Sequence, residues 1–372
     1  MRRFLAVPLA LVTVALQAMP ALGQAEGANR SITSAQPGAF DRAYPEAAAV
    51  LNSFDAVYGA LFEQLYTDAA RVESATSDQM LAMIRSGAPE PTALRPAMPS
   101  FASSAPGIAE TLAWGHQFKR ALYDIFADDR IADKASAVDQ AVERYLSRSD
   151  LALPAEPKSM SGGSHEHMMM GGHHSMVFQE HFPSANGLAW AAHWFEIALM
   201  DPILFYANPE QQREGVANVV SRFHELIASP ESMPQQMPTP AAVAPELVRE
   251  HPRAAAILDN LHILHASIAD VLAGDADSRS AGLQTALADV QDPTHMAVNE
   301  YDWILNSLRH GIFYQGGPAI GRIDRPERNM SHAEHGGMVM PGMSAPSGAG
   351  MPQDVGPDGA APEQPGQDHS GH

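Results

Sequence analysis

The chain has 372 residues, 45% apolar and 18% charged, with 43 acidic against 23 basic side chains, 17 histidines, 19 methionines and no cysteine. That length suits one large or two ordinary domains, and a formal charge of -20 argues against a broad phosphate-binding face, so neither nucleic acid nor an anionic lipid surface is an expected partner. Lack of a thiol excludes disulfides, zinc fingers, iron–sulfur clusters, thiol nucleophiles and covalently attached haem.

Met1-Arg2-Arg3 is a short basic start, residues 4–18 are almost wholly apolar, and Ala21-Leu22-Gly23 places small residues where signal peptidase cleaves. Residues 1–23 are therefore expected to be a leader that exports the protein to the periplasm or beyond, with no membrane span left after cleavage. In an oxidising compartment thioethers outlast thiols and still bind soft ions, so Met and His are the ligands a metal-handling protein would use there. Residues 24–43 are small and polar and read as a flexible lead.

The rest, 44–324, reads as a helical domain. After Tyr44-Pro45, Ala47, Leu51, Phe54, Tyr58, Leu61, Phe62 and Leu65 recur at helical spacing. Further helices are expected at 77–86, 108–127, 132–146, 186–200, 211–228, 252–273, 281–290 and 298–309. Proline-rich connections are expected at 87–107 and 233–245, and Asp201-Pro202 should end the apolar helix before it. No later stretch reads as long and apolar enough to span a membrane, and none alternates with period two. The expected fold is all-α: a helical bundle of about four core helices plus shorter ones, with a Met/His-rich loop at 155–180 and a disordered tail at 325–372.

Two stretches match. Leu112-Ala-Trp114-Gly-His116-Gln-Phe118-Lys-Arg-Ala121-Leu122-Tyr-Asp124 aligns with Leu188-Ala-Trp190-Ala-Ala-His193-Trp-Phe195-Glu-Ile-Ala198-Leu199-Met-Asp201. His262-Ile-Leu264-His265-Ala-Ser267-Ile268-Ala-Asp270 keeps the His-to-Asp spacing, and residues 60–68 fit with Ala60 in place of the histidine. Four equivalent helices would present His116, His193 and His262 at one level, with His265 one turn from His262. Such a set suits copper, zinc, iron or a bis-His b-type haem, with Glu196 and Glu63 as nearby carboxylates. An amphipathic helix with core histidines satisfied by backbone carbonyls would give the same spacing.

Two tracts concentrate the remaining ligands. His165, His167, Met168, Met169, Met170, His173, His174 and Met176 fall within twelve residues, and the tail carries His332, His335, Met338, Met340 and Met343. Closely spaced thioethers on a Gly-punctuated backbone can converge on a soft monovalent ion, and the imidazoles extend the range to Cu(II), Ni(II) or Zn(II). These tracts resemble the Met/His-rich segments of bacterial periplasmic copper- and silver-resistance proteins. The resemblance covers about 160–176 and 330–372 and leaves the helical body unassigned. It implies Cu(I) and Cu(II) as cargo, with another periplasmic copper protein or an envelope transporter as partner.

Glu-x-x-His, His-Glu-x-x-His, Gly-x-Ser-x-Gly and the phosphate-loop pattern are all absent from the sequence. The expected function is exported copper binding for sequestration, buffering or transfer, without a positive sign of catalysis. A redox protein or enzyme with a His-ligated metal or haem, and a helical envelope interaction protein with incidental tracts, are the alternatives.

Overall fold

A computed structural model describes residues 38–158, 176–233 and 237–313. The expected leader, most of the lead, residues 159–175 and the tail lie outside the described residues. Helix makes up 78% of the described part and no strand occurs in it, so the all-α expectation holds; pairing of the sheet type is confined to an isolated bridge between Lys158 and Ala297.

In chain order the helices are α1 Ala39–Ala43, α2 Pro45–Asp68, α3 Ser77–Ser86, α4 Leu94–Ala97, α5 Pro99–Ser104, α6 Pro106–Ala127, α7 Lys134–Leu146 and α8 Met176–His181. There follow α9 Pro183–Ala198, α10 Met200–Phe205, α11 Pro209–Leu226, α12 Pro240–Val243, α13 Pro245–Glu250, α14 Pro252–Ala273, α15 Arg279–Gln291 and α16 Glu300–Phe313. Both proline-rich connections thus contain short helices. Asp201-Pro202 does not stop helix formation either, because Pro202 falls in the first turn of α10, where a missing N–H costs no intrahelical bond. By length and composition α14 could cross a bilayer, contrary to expectation, but 89% of its most apolar window is buried inside the protein.

Proline sets the pattern of starts. Tyr44, Ala105, Phe182 and His251 each hold φ between -129° and -139° with ψ of 58–63°, immediately before Pro45, Pro106, Pro183 and Pro252. A proline ring disfavours helical backbone in the residue before it while suiting the first helical position itself, so each pair breaks one helix and opens the next. The result is a unit that occurs four times: a short helix, a corner, and a long helix. The units are α1–α2, α5–α6, α8–α9 and α13–α14.

Two further positions mark the unit. Five residues before each corner proline is a fully buried apolar side chain, Phe40, Phe101, Phe178 or Leu247. Eighteen residues after it is a carboxylate, Glu63, Asp124, Asp201 or Asp270, and each caps the short helix of another unit. Asp124 accepts from Phe40 N at 3.0 Å, and Glu63 accepts from Ser100 N and Phe101 N. Asp270 accepts from Val177 N and Phe178 N, and Asp201 from Glu246 N at 2.8 Å. The first two units therefore cap each other, and so do the last two. Relative to the sequence alignment, the first copy moves by five residues, so that Asp55 rather than Ala60 stands opposite the histidines.

Side chains of the long helices merge with Phe223 of α11 into one apolar core that includes Phe54, Leu61, Leu122, Trp194, Phe195, Leu261 and Leu264. Gly115 lets α6 approach α14, since a Cβ there would lie 2.7 Å from Leu261 Cδ1, and Gly187 admits the 230–232 turn against α9. Replacing Asp124 by Ala removes the acceptor at the start of α1 and should lower the unfolding free energy by about 1–2 kcal/mol in a denaturant titration. Asp259, buried on α14 with Trp303 Nε1 donating to it at 2.9 Å, is pushed up by burial to about 7. A carboxyl raised on folding stabilises the fold fully below its unfolded value and loses that contribution as pH rises through about 7. The melting-temperature advantage of the wild type over Asp259→Asn should accordingly grow as pH falls from 8 to 5.

Candidate metal centre

The four long helices each turn two positions toward one point in the core, ten and thirteen residues after the corner proline. These are Asp55 and Tyr58 on α2, His116 and Lys119 on α6, His193 and Glu196 on α9, and His262 and His265 on α14. An i, i+3 pair lies on one helix face, so each helix contributes a stacked pair. Every one of these residues except Asp55 is at least 95% buried; the Asp55 side chain keeps 20% exposure. On that side a cleft lined by Leu51, Asp55, His116, Lys119, Arg120 and Tyr123 meets the cluster.

The imidazoles are threaded on one row of contacts. Asp55 Oδ1 lies 2.8 Å from His116 Nδ1, His116 Nε2 lies 2.9 Å from His265 Nε2, and His265 Nδ1 lies 3.1 Å from His193 Nε2. The row ends where His193 Nδ1 meets Met237 Sδ at 3.3 Å. Beside it, Glu196 takes the Lys119 ammonium on one carboxylate oxygen and His262 Nε2 on the other at 3.1 Å. Its backbone carbonyl accepts from the Tyr123 hydroxyl. The rings are layered: His193 stacks on His262 with centroids 4.2 Å apart, and Tyr58 stacks on His265 at 4.6 Å and on His193 at 5.4 Å.

Charge states follow from burial and neighbours. Burial alone would raise Asp55, but His116, Lys119 and Arg120 hold it below its ordinary value. Burial opposes Glu196 in the same way and is outweighed by Lys119 and then His262, which keep it well below the usual carboxylate range. Burial, reinforced by neighbouring imidazoles, drives His193 and His265 well down, and it lowers His262 against the pull of Glu196. The Tyr58 phenol, raised first by burial and then by Glu196 and Asp55, stays protonated. With the imidazoles uncharged, and Arg120 placed 3.7 Å from Asp41, Asp55, Glu196 and Lys119 together carry one negative charge in excess.

Proton positions can then be assigned from the carboxylate ends. An ionised Asp55 only accepts, so His116 keeps a proton on Nδ1; with no further proton on the row, His265 donates from Nε2 to His116, and His193 donates from Nε2 to His265. His193 Nδ1 is left as a lone pair facing the Met237 sulfur. By the same logic Glu196 holds the His262 proton on Nε2, and His262 Nδ1, buried, has no hydrogen-bond partner. One added proton reverses the row, each ring donating toward Met237. The row therefore has room for one more positive charge.

The four helical histidines expected to share a level are brought together. Glu196 joins them, while Glu63 does not, being occupied with capping α5. The alignment on Ala60 missed Asp55, Tyr58 and Lys119, which the corner prolines put in register. Met237 belongs to the proline-rich segment between α11 and α12, and nothing local in that segment marks it. His165, His167, Met168, Met169, Met170, His173, His174, His332, His335, Met338, Met340 and Met343 lie outside the described residues; Met176 opens α8. Among the described residues, no three His or carboxylate groups already surround a common point, because the imidazoles touch one another. No family model, curated protein or solved structure matches the chain.

Because their folded values are lowered, His193, His262 and His265 should remain neutral when exposed histidines protonate. Imidazole NMR resonances of these three should hold still between pH 7.5 and 5.5 while that of free imidazole added to the same sample shifts.

Proposed function

We propose that this is an exported copper-binding protein whose helical core holds one Cu(I), with the Met/His tracts at 165–176 and 332–343 acquiring or passing on the ion. The observation that carries the reading is the meeting of His193 Nδ1 with Met237 Sδ at 3.3 Å beside His262, whose buried Nδ1 has no hydrogen-bond partner and whose ring stacks on His193. Two imidazoles and a thioether are neutral, soft-to-borderline donors that favour Cu(I). Their contact of 3.3 Å between nitrogen and sulfur is close to the separation of two ligands on one small ion, given bonds of about 2.0 Å to nitrogen and 2.3 Å to sulfur.

The surroundings support the same reading. Imidazoles that ligate metals usually donate their other N–H to a carboxylate or another fixed acceptor; here His262 donates to Glu196 and His193 to His265. A monovalent cation would cancel the surplus negative charge of the cluster, whereas a divalent one would leave a buried positive charge. A porphyrin fits poorly, since imidazoles stacked and bonded edge to edge leave no slab between two facing ring nitrogens. The apolar leader and the composition of the two tracts support an envelope location, where capture, buffering or transfer of copper would be the task.

Competition titration with a Cu(I) chelator tests the reading in the full chain carrying Ser in place of every His and Met of both tracts. One tight equivalent should remain. Met237→Leu, which keeps the volume of the side chain, should weaken that equivalent at least about tenfold, roughly 1.4 kcal/mol, with little change in melting temperature. His193→Ala with His262→Ala should abolish it. Absence of the equivalent when both tracts are replaced would contradict a helical site, and unchanged stoichiometry on replacing the tracts would contradict their part in binding.

A further inference from the structure

The cluster contains a cation of its own. Lys119 occupies the same place in its unit that Tyr58, Glu196 and His265 occupy in theirs, thirteen residues after the corner proline. Its side chain is 6% exposed and that of its partner Glu196 1%, and the ammonium sits 6.0 Å from the Tyr58 ring centre. In bundles that hold two metal ions, two helices bring a carboxylate and a histidine at such i, i+3 positions and the other two bring a carboxylate each. Here one of those positions carries a lysine, and Glu196, the carboxylate nearest to it, gives the lysine one oxygen and His262 the other.

We propose that Lys119 is the charge selector of the site: its ammonium takes the place of a second cation on Glu196, so that the cluster admits a single monovalent ion and disfavours divalent ones. The proposal rests on the helical metal site described above. With Lys119, Glu196 and Asp55 charged, the cluster stands at one negative charge and a monovalent ion completes it. Without the ammonium it stands at two, and a divalent ion completes it instead. With Glu196 neutral it stands at zero, and every cation loses ground. In a buried site unit charges interact strongly because little water screens them, so each step should be large.

The test is a charge series in the full chain with both tracts replaced by Ser, read as the ratio of Co(II) to Cu(I) affinity. Cu(I) is measured by chelator competition and Co(II) by its ligand-field absorption. Lys119→Met should raise the ratio by about a hundredfold over wild type, and Glu196→Gln should lower it. Lys119→Met with Glu196→Gln, again at one negative charge, should return close to the wild-type ratio. A Lys119→Met protein that melts lower than wild type and is stabilised by Co(II) but not by Cu(I) supports the same conclusion.

A ratio that stays constant across the series while Cu(I) still binds would overturn the selector role. Should Lys119→Met fail to fold, Glu196→Gln and the double variant carry the same comparison. Loss of Cu(I) binding in the wild-type cluster would overturn the copper reading instead, and the two failures are thereby distinguished.

Discussion

Two carboxylates, buried Glu196 and the partly exposed Asp55, decide which nitrogen of each neighbouring imidazole keeps its proton. An ionised carboxylate can only accept, so His116 must present Nε2 to the interior and His262 must present Nδ1. Once those two rings are fixed, and while the row carries no added proton, His265 and His193 follow in turn and the row ends on a lone pair facing the Met237 sulfur. An arrangement of four imidazoles that would otherwise shuffle among tautomers is pinned from its ends. Burying two carboxylates is costly unless each is paired and hydrogen-bonded; Lys119 and His262 serve Glu196, and His116 with the half-open cleft serves Asp55. The polar centre of the molecule is thus a single coupled network, and removing one member leaves another exposed to low dielectric without its partner.

Placing that network needs four helices that agree in height, and the corner prolines supply the agreement. Each long helix starts at a proline whose preceding residue is held out of helical backbone, so position ten and position thirteen fall at a fixed rise of about 15–20 Å from the corner. The carboxylate eighteen residues on then caps the short helix of a neighbouring unit, which ties the height of one unit to that of the next. Capping is reciprocal within the first pair of units and within the last pair, so the scaffold is built from two clasped pairs. One sequence feature, proline spacing, thereby serves both the start of each helix and the convergence of the site.

Where the sequence carried local signals, helix limits were legible in it. Residues 77–86 and 252–273 are read at their observed limits because glycine follows each of them and proline opens the second. Residues 94–104 and 240–243 are read as connection because their helices are a turn or so long and carry no periodicity, being held by caps and tertiary burial. The histidine level was legible through the repeat in α6, α9 and α14. In α2 it was not, because Asp55 and Tyr58 look like ordinary helix residues until the four prolines are superposed, and aligning on Ala60 hid them. Nothing in the sequence singles out Lys119, and only packing shows it 95% buried. Met237 reaches His193 from forty-four residues away, a contact that tertiary structure alone determines.

The account stands on the claim that His193, Met237 and His262 together make one soft-metal site in the apolar core. Anomalous diffraction at the copper edge, from crystals of the full chain loaded anaerobically with Cu(I), addresses that claim most directly. A single strong peak inside the four long helices, bounded by His193 Nδ1, Met237 Sδ and His262 Nδ1, is the predicted result. Copper bound elsewhere on the chain, with the imidazole row intact and no peak among the helices, would contradict it.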